Sequence, residues 1–343
     1  MTSPRYDVIC SWRGVMKYTL NADILRYRQS LPLEVKVVMT KNRIRNFITE
    51  YGTDGIYISF SGGKDSTVLM DIARQIDNRI PAVFVDTWME YPQIRGFVRR
   101  YDNIVTLKPV MSLKEIIKQY GWCFPSKDVA QTIWYARQGS EWALNKLHGL
   151  DQNGKRSAYR QQYVKWLPLY ESDFLISSYC CIMQKEKPVA LYEKQTGRHP
   201  ILALMAQESA RRKEAYLRTG CNSFESKRPL SKPMGFWKEQ DVLRYKVQNH
   251  LAIAEPYGEV VEEGQVPGQI SFMPSDGKLR CTGEQRTGCM FCPVGCHLTN
   301  FDKFKRLKAY NPNLYNFCME ELGEKRLLEW IEKNYRRGYK HAA

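Results

Sequence analysis

The eight residues Ser59, Phe60, Ser61, Gly62, Gly63, Lys64, Asp65 and Ser66 constrain this chain more than any other stretch. They follow an apolar run, Gly55-Ile56-Tyr57-Ile58, that reads as a buried strand, and they precede Thr67-Val68-Leu69-Met70-Asp71-Ile72-Ala73, whose apolar residues fall at helical spacing. A strand, a glycine pair and a helix start make an anion cradle. The glycines let backbone approach a phosphate closely, and the free N–H groups of the first helical turn point at it. Lys64 adds a point charge, and Ser59, Ser61 and Ser66 add hydroxyls. The pattern is not the GxxxxGK[ST] loop that grips β- and γ-phosphates. Asp65 either helps place a Mg²⁺ ion between phosphates or caps the helix that starts there, with capping the preferred role.

The surrounding rhythm predicts the sheet that presents this loop. Pro81–Asp86 reads as a second strand ending in an acid, Tyr91–Arg100 as a helix and Asn103–Leu107 as a third strand. Short strands alternating with helices predict a parallel sheet covered on both faces, with ligands at the carboxyl ends of the strands. Asp86 falls at such an end, where it either meets a ribose or adenine edge or caps the next segment. Residues 1–50 read as a basic helical arm and 51–250 as the nucleotide-binding domain. A helical insertion, rich in aromatic and basic residues, spans about 120–170. Residues 251–343 form a Cys-rich and helical region that closes with a pair of helices over 301–335.

At 343 residues the chain builds a core easily, and its 43% hydrophobic content includes no run of eighteen apolar residues. The N-terminus lacks a signal-peptide pattern, so a cytoplasmic protein with no membrane partner is expected. The formal charge of +16 points to a polyanionic partner, most simply nucleic acid, with DNA favoured. The excess is spread out: nine Lys/Arg against four Asp/Glu over 1–50, seven against three over 127–166, and ten against six over 301–343.

Ten cysteines in such a compartment are not expected to pair as disulfides, so clusters among them suggest a metal. Cys180 and Cys181 are adjacent and would strain a mutual disulfide, but both can face one metal group. Lys185, one helical turn on from Cys181, returns beside the thiolates or a bound anion. Cys289-x-x-Cys292 is a chelate spacing. Two ligand sets are open. One is local (Cys281, Cys289, Cys292, Cys296), and spacing alone favours it. The other joins Cys180 and Cys181 to Cys289 and Cys292. Zinc and an iron–sulfur cluster both accept four thiolates. Arg198 and Arg212, the latter in Gln207–Arg212, are candidates to clamp a phosphate or sulfate.

Ser61–Ser66, Val83–Asp86, Cys180–Pro188, Glu208–Arg212 and Gly288–Cys292, in that order, resemble the phosphoadenosine phosphosulfate reductase family of the PP-loop ATP pyrophosphatase superfamily. The resemblance implies a Rossmann-like α/β/α layered parallel sheet of the adenine nucleotide alpha hydrolase-like kind. It also implies ATP or adenylyl sulfate in the PP-loop, with Lys64, Asp65 and Ser66 as catalytic residues. The cysteine pairs are similar to those of the adenylyl-sulfate reductases, which implies a [4Fe–4S] cluster, rather than zinc, on Cys180, Cys181, Cys289 and Cys292. The family's reductases end in a Glu-Cys-Gly segment whose cysteine attacks sulfur. Here the final stretch Arg336–Ala343 has none, the last cysteine is Cys318, and the arginine ahead of Glu-Ser is Met205. The combination with a basic, aromatic insertion is similar to the DNA phosphorothioation ATP pyrophosphatases. That likeness implies adenylylation of a nucleic acid and sulfur from a donor protein such as a cysteine desulfurase. The competing expectations are an adenylyl-sulfate or phosphoadenylyl-sulfate reductase, and a non-catalytic nucleotide- and DNA-binding regulator.

Overall fold

The computed structural model of the protein describes residues 20–263 and 277–335. The start of the basic arm (1–19), part of the Cys-rich region (264–276) and the final residues (336–343) lie outside the described residues. The centre is a six-stranded sheet in the order β3-β2-β1-β4-β6-β5. Its strands are β1 (Ile56–Ser59), β2 (Ala82–Val85), β3 (Ile104–Leu107), β4 (His199–Ile201), β5 (Asn222–Ser223) and β6 (Leu230–Ser231). All neighbours pair in parallel except β5, which runs antiparallel to β6 at the edge. Ile56, Tyr57, Ile58, Ala82, Val83 and Phe84 are buried, as strands covered on both faces require. This is the layered α/β arrangement expected from the strand–helix alternation. β1 lies where the strand order turns from one half of the sheet to the other, the place at which such sheets bind ligands.

Two helices, α1 (Ala22–Ser30) and α2 (Leu33–Tyr51), precede the sheet, and α3 (Lys64–Arg74) and α4 (Pro92–Val98) follow β1 and β2. α2 packs on α3, and its Leu33, Ile44 and Phe47 are buried in the main core. Its second fastening is polar. The Lys36 ammonium is 1% exposed and donates to both oxygens of Asp241, at 2.9 and 2.7 Å. Trp237 Nε1 donates to Thr40 Oγ1 at 2.8 Å.

The insertion is helical, as its pattern predicts: α5 (Leu113–Tyr120), α6 (Lys127–Arg137), α7 (Glu141–Leu147), α8 (Arg160–Tyr163) and α9 (Leu167–Glu171). Ser112, Ser126 and Ser140 cap α5, α6 and α7, and Ser112 completes a capping box with Glu115. The Arg137 guanidinium donates to the carbonyls of Leu169, Tyr170, Ser172 and Phe174, which ties α6 to the returning chain. The aromatic residues divide. Trp122, Phe124, Tyr163 and Trp166 are core, whereas Tyr135, Trp142 and Tyr159 are exposed.

Beyond it run α10 (Tyr179–Cys181), a π-turn (Ile182–Glu186), α11 (Lys187–Thr196), α12 (Ala210–Thr219) and α13 (Glu239–Gln248). A small antiparallel pair, β7 (Val260–Glu262) and β8 (Leu279–Cys281), stands apart from the main sheet. The closing segment is three helices rather than a pair: α14 (Asp302–Tyr310), α15 (Pro312–Asn316) and α16 (Glu324–Tyr335), with a π-turn over Phe317–Glu321. Pro312 starts α15 at its first turn, which divides what reads in sequence as one helix.

Candidate functional site

The loop after β1 closes on itself through its own side chains. Ser66 Oγ donates to the Gly63 carbonyl at 2.9 Å and lies 3.1 Å from Ser61 Oγ, and the Gly63 N–H donates to Ser61 Oγ at 3.3 Å. Gly62 sits at φ +69°, and a Cβ there would lie 2.8 Å from Ile94 and 2.9 Å from Val98 on α4. Both the dihedral and the close approach demand glycine. Gly62→Ala is expected to destabilise the protein by about 2–3 kcal/mol, from left-handed strain and overpacking against α4. Urea unfolding would report it as a lower midpoint at unchanged slope.

Lys64 is 4% exposed and begins α3. Its Nζ donates to the Gln285 carbonyl at 2.9 Å and pairs with Glu239 at 3.1 Å. Burial alone would lower its pKa, but Asp65, Tyr257 and Glu239 outweigh that and raise it, so the side chain is a fixed cation. Asp65 does not cap the helix. The N-cap is Gly63, without a side-chain cap bond, and Asp65 lies inside the first turn. Its Oδ1 is buried with no hydrogen-bond partner, and burial raises its pKa against the opposing pull of Lys64. The preferred capping role therefore gives way to a carboxylate oxygen held open at the loop.

Residues far along the chain roof the cradle. Tyr257 Oη accepts the Lys64 backbone N–H at 3.2 Å and shares a 2.7 Å hydrogen bond with Thr287 Oγ1. Tyr257, Glu239, Gln285 and Thr287 were not visible as site residues in the sequence, because no local spacing links them to a loop some 170–220 positions away.

The other expected nucleotide contacts fare unequally. Asp86 stands at the end of β2, but Arg95 takes its carboxylate, with Nε 2.7 Å from one oxygen and a 3.0 Å hydrogen bond to the other. Arg95 in turn stacks under Trp88, 3.5 Å from the ring centroid. Trp88 is 68% exposed and holds φ +62°, a strained conformation for a bulky residue. Arg198 is not at the loop. It precedes β4, whose first residue pairs with Ile56 at the amino end of β1, and it bonds the Asp54 carbonyl and Tyr192 Oη. In a parallel sheet that is the edge opposite the ligand. Arg212, in the first turn of α12, pairs with Glu208 in the turn that precedes the helix, and Glu208 is close enough to Asp65 to raise its pKa.

Electrostatic influence links cysteines that lie far apart in sequence. The thiols of Cys180 and Cys181 bear electrostatically on those of Cys289 and Cys292. Cys281 instead lies in β8, under the influence of Lys64, Glu239 and Asp65. Cys296, by contrast, bears electrostatically on Cys292, so within the local set Cys281 alone stands apart. Cys123, a lone cysteine in sequence, interacts with Cys181 and bears on Cys180 and Cys292, which with burial raises its pKa. The interaction with Cys123, followed by Lys127 and Lys185 after the opposing effect of burial, lowers the pKa of the Cys181 thiol. Lys185 returns beside the thiols as expected and also pairs with buried Glu90 at 2.9 Å, while Glu90 accepts from Thr87 Oγ1. Among the described residues, no group of three or more His, Cys, Asp or Glu side chains is arranged as a metal site.

A cavity of about 1070 Å³ lies between the roof of the loop and these cysteines. It is lined by Tyr91, Gln285, Arg286, Cys292, Lys303 and Arg306, among others. The site therefore combines an anion cradle, a buried cation, an open carboxylate and a large cleft that reaches a cysteine.

The phosphoadenosine phosphosulfate reductase domain model matches residues 55–298, and the chain belongs to that family. The match starts just ahead of β1 and ends past Cys296, so it encloses both the loop and the clustered cysteines. A crystal structure of phosphoadenylyl-sulfate (PAPS) reductase from Candida auris, in a phosphate complex, is similar at 14% identity and a TM-score of 0.37, over 69% of this chain and 90% of that one. No curated protein sequence matches this chain at a significant level. Among the described residues no helix is long and apolar enough to cross a membrane.

Proposed function

We propose that the protein is a PP-loop enzyme that activates an acceptor with ATP and supports transfer of sulfur to it. The carrying observation is the cradle around Gly62 and Gly63 with Lys64 held by the carbonyl of Gln285, a residue that also lines the cleft of about 1070 Å³. In this reading an acceptor oxygen attacks the α-phosphorus, the α–β anhydride bond breaks, and pyrophosphate leaves with the bonding electrons. Lys64 and the N–H groups of the α3 first turn stabilise the developing charge. A thiol reductant releases hydrosulfide from the persulfide of a donor protein, such as a cysteine desulfurase, and becomes a disulfide; the hydrosulfide then attacks the activated atom of the acceptor, and AMP leaves with the former acceptor oxygen. Asp65, whose buried oxygen has no partner, fits a Mg²⁺ ion, which when bound would neutralise phosphate charge.

The favoured acceptor is nucleic acid, with DNA first. The +16 charge, the cleft's Arg286 and Lys303, and the exposed Trp142 and Tyr159 on the insertion support this reading. Cys180, Cys181, Cys289 and Cys292 fit a [4Fe–4S] cluster by donor chemistry, with Lys127 and Lys185 near to offset thiolate charge. Their sulfurs would have to draw closer together around it. When bound, the cluster would bring iron–sulfur chemistry to the end of the cleft. Cys181→Ser should reduce bound iron from about four per chain. If only Cys281→Ser or Cys296→Ser did so, the paired set would be wrong.

Family membership favours a second reading, reduction of adenylyl sulfate or phosphoadenylyl sulfate. Its nucleophile would not be Cys318, which is 0% exposed and whose thiol burial pushes up. Pyrophosphate release from ATP by anaerobically purified protein, with and without DNA, separates the two. Release stimulated by DNA supports acceptor activation. No release, with sulfite formed from adenylyl sulfate and a thiol, supports reduction.

A further inference from the structure

Away from the cleft, α1, α2 and the turn from α12 into β5 enclose a cavity of about 360 Å³ lined by Arg28, Arg43, Arg218, Thr219, Asn222 and Phe224, among others. We infer that this cavity is a second phosphate-binding site, independent of the PP-loop.

Three guanidinium groups from three separate helices converge on it, and no carboxylate is among its lining residues. None of the three arginines forms an ion pair with a described residue. Arg28 donates to Tyr216 Oη at 3.0 Å, a neutral partner. Arg28 and Arg218 stand in the last turns of α1 and α12, where helix carbonyls favour a cation. Arg43 lies in the middle of α2 and has no such compensation. Lys232 adds a fourth positive charge beside the cavity. Its Nζ donates to Thr219 Oγ1 at 2.8 Å, and burial, with Arg218 reinforcing it, lowers its pKa. Four like charges around one hollow repel one another until an anion enters, and guanidinium forks match phosphate oxygens two at a time. Asn222 turns its amide nitrogen to the Arg43 carbonyl at 2.9 Å, which ties the arm to the sheet where these charges meet.

The placement adds meaning. Because β5 runs antiparallel to its neighbour, Asn222 pairs with Ser231 at the carboxyl end of β6. Asn222 in the cavity wall thus lies toward the sheet edge that carries the PP-loop, three strands from β1, which is roughly 14 Å at ordinary strand spacing. The phosphate can come from a nucleic-acid strand lying along that edge or from a free phosphate compound.

The test uses the full chain carrying Lys64→Ala to disable the PP-loop, with Arg43→Gln, Arg218→Gln and the pair added. Inorganic phosphate at matched ionic strength should raise the melting temperature of the Lys64→Ala protein, and this shift should disappear in the triple variant. Binding of a labelled oligothymidylate is followed across salt concentrations. If a strand supplies the phosphate, each arginine removed lowers the salt slope by about 0.7. An unchanged slope with a lost phosphate shift supports a free phosphate compound. Unchanged phosphate stabilisation and unchanged oligonucleotide binding in the triple variant overturn the site. Arg218 is exposed, so its variant reports without risk to folding. The outcome does not depend on whether ATP is cleaved.

Discussion

Lys64→Ala is expected to lower pyrophosphate release from ATP by about 10²–10³-fold, the loss typical when one preorganised donor to a developing oxyanion is removed. The reasoning is specific to where Lys64 stands. It is the one cation in the first turn of α3, buried at the rim of the cradle, and it is held from the far side by the Gln285 carbonyl and Glu239. A side chain so fixed spends no reorganisation when charge develops on the phosphates. The same geometry predicts that the fold survives. Glu239 is 46% exposed, so its carboxylate returns to water when the ammonium is gone. Lys64→Arg should keep charge but displace it, because the wider fork meets the Tyr257 ring, whose centroid lies 5.4 Å from Nζ. Unfolding midpoints near wild type, with turnover lost, would agree. Wild-type turnover in Lys64→Ala would remove the loop from the mechanism.

How much of this was legible depends on distance along the chain. The cradle could be read because all its parts fall within eight consecutive residues, and the sheet because each strand is a short apolar run between helical stretches. What could not be read lies at long range. Tyr257 caps the Lys64 amide from 193 residues away, and Cys123 becomes a partner of Cys181 only when the bridge between Trp122 and Ile176 brings the two segments side by side. Arg198 lies away from the loop for a reason that the sequence carries in principle. An arginine that precedes a parallel strand lies at the amino edge, so recognising His199–Ile201 as β4 would have excluded it from the loop. Asp86 was placed correctly at its strand end, but nothing in its neighbourhood marked Arg95 as the partner that occupies it.

Asp241→Ala should be the most damaging substitution outside the loop, destabilising the protein by about 3–5 kcal/mol. Lys36 and Asp241 are 1% and 5% exposed, and the pair joins α2 to α13 across 205 residues of sequence. Removing the carboxylate leaves a buried ammonium with only the Gln29 carbonyl, 2.9 Å away, as a described partner. It also strips the Lys238 N–H of its acceptor. The double substitution Lys36→Met with Asp241→Leu removes both charges and fills similar volume, so it should destabilise less than Asp241→Ala alone. That inversion, measured by denaturant unfolding of the four proteins, is the diagnostic result. A cost below about 1 kcal/mol for Asp241→Ala would mean that water reaches the pair. The position also carries consequence for the site. Glu239, two residues before Asp241, is the partner of Lys64, and Arg43, two turns after Lys36, lines the arginine cavity. One buried ion pair therefore fastens the arm that supplies Arg43 to the helix that steadies the loop lysine. Loosening it should weaken nucleotide binding before the protein unfolds.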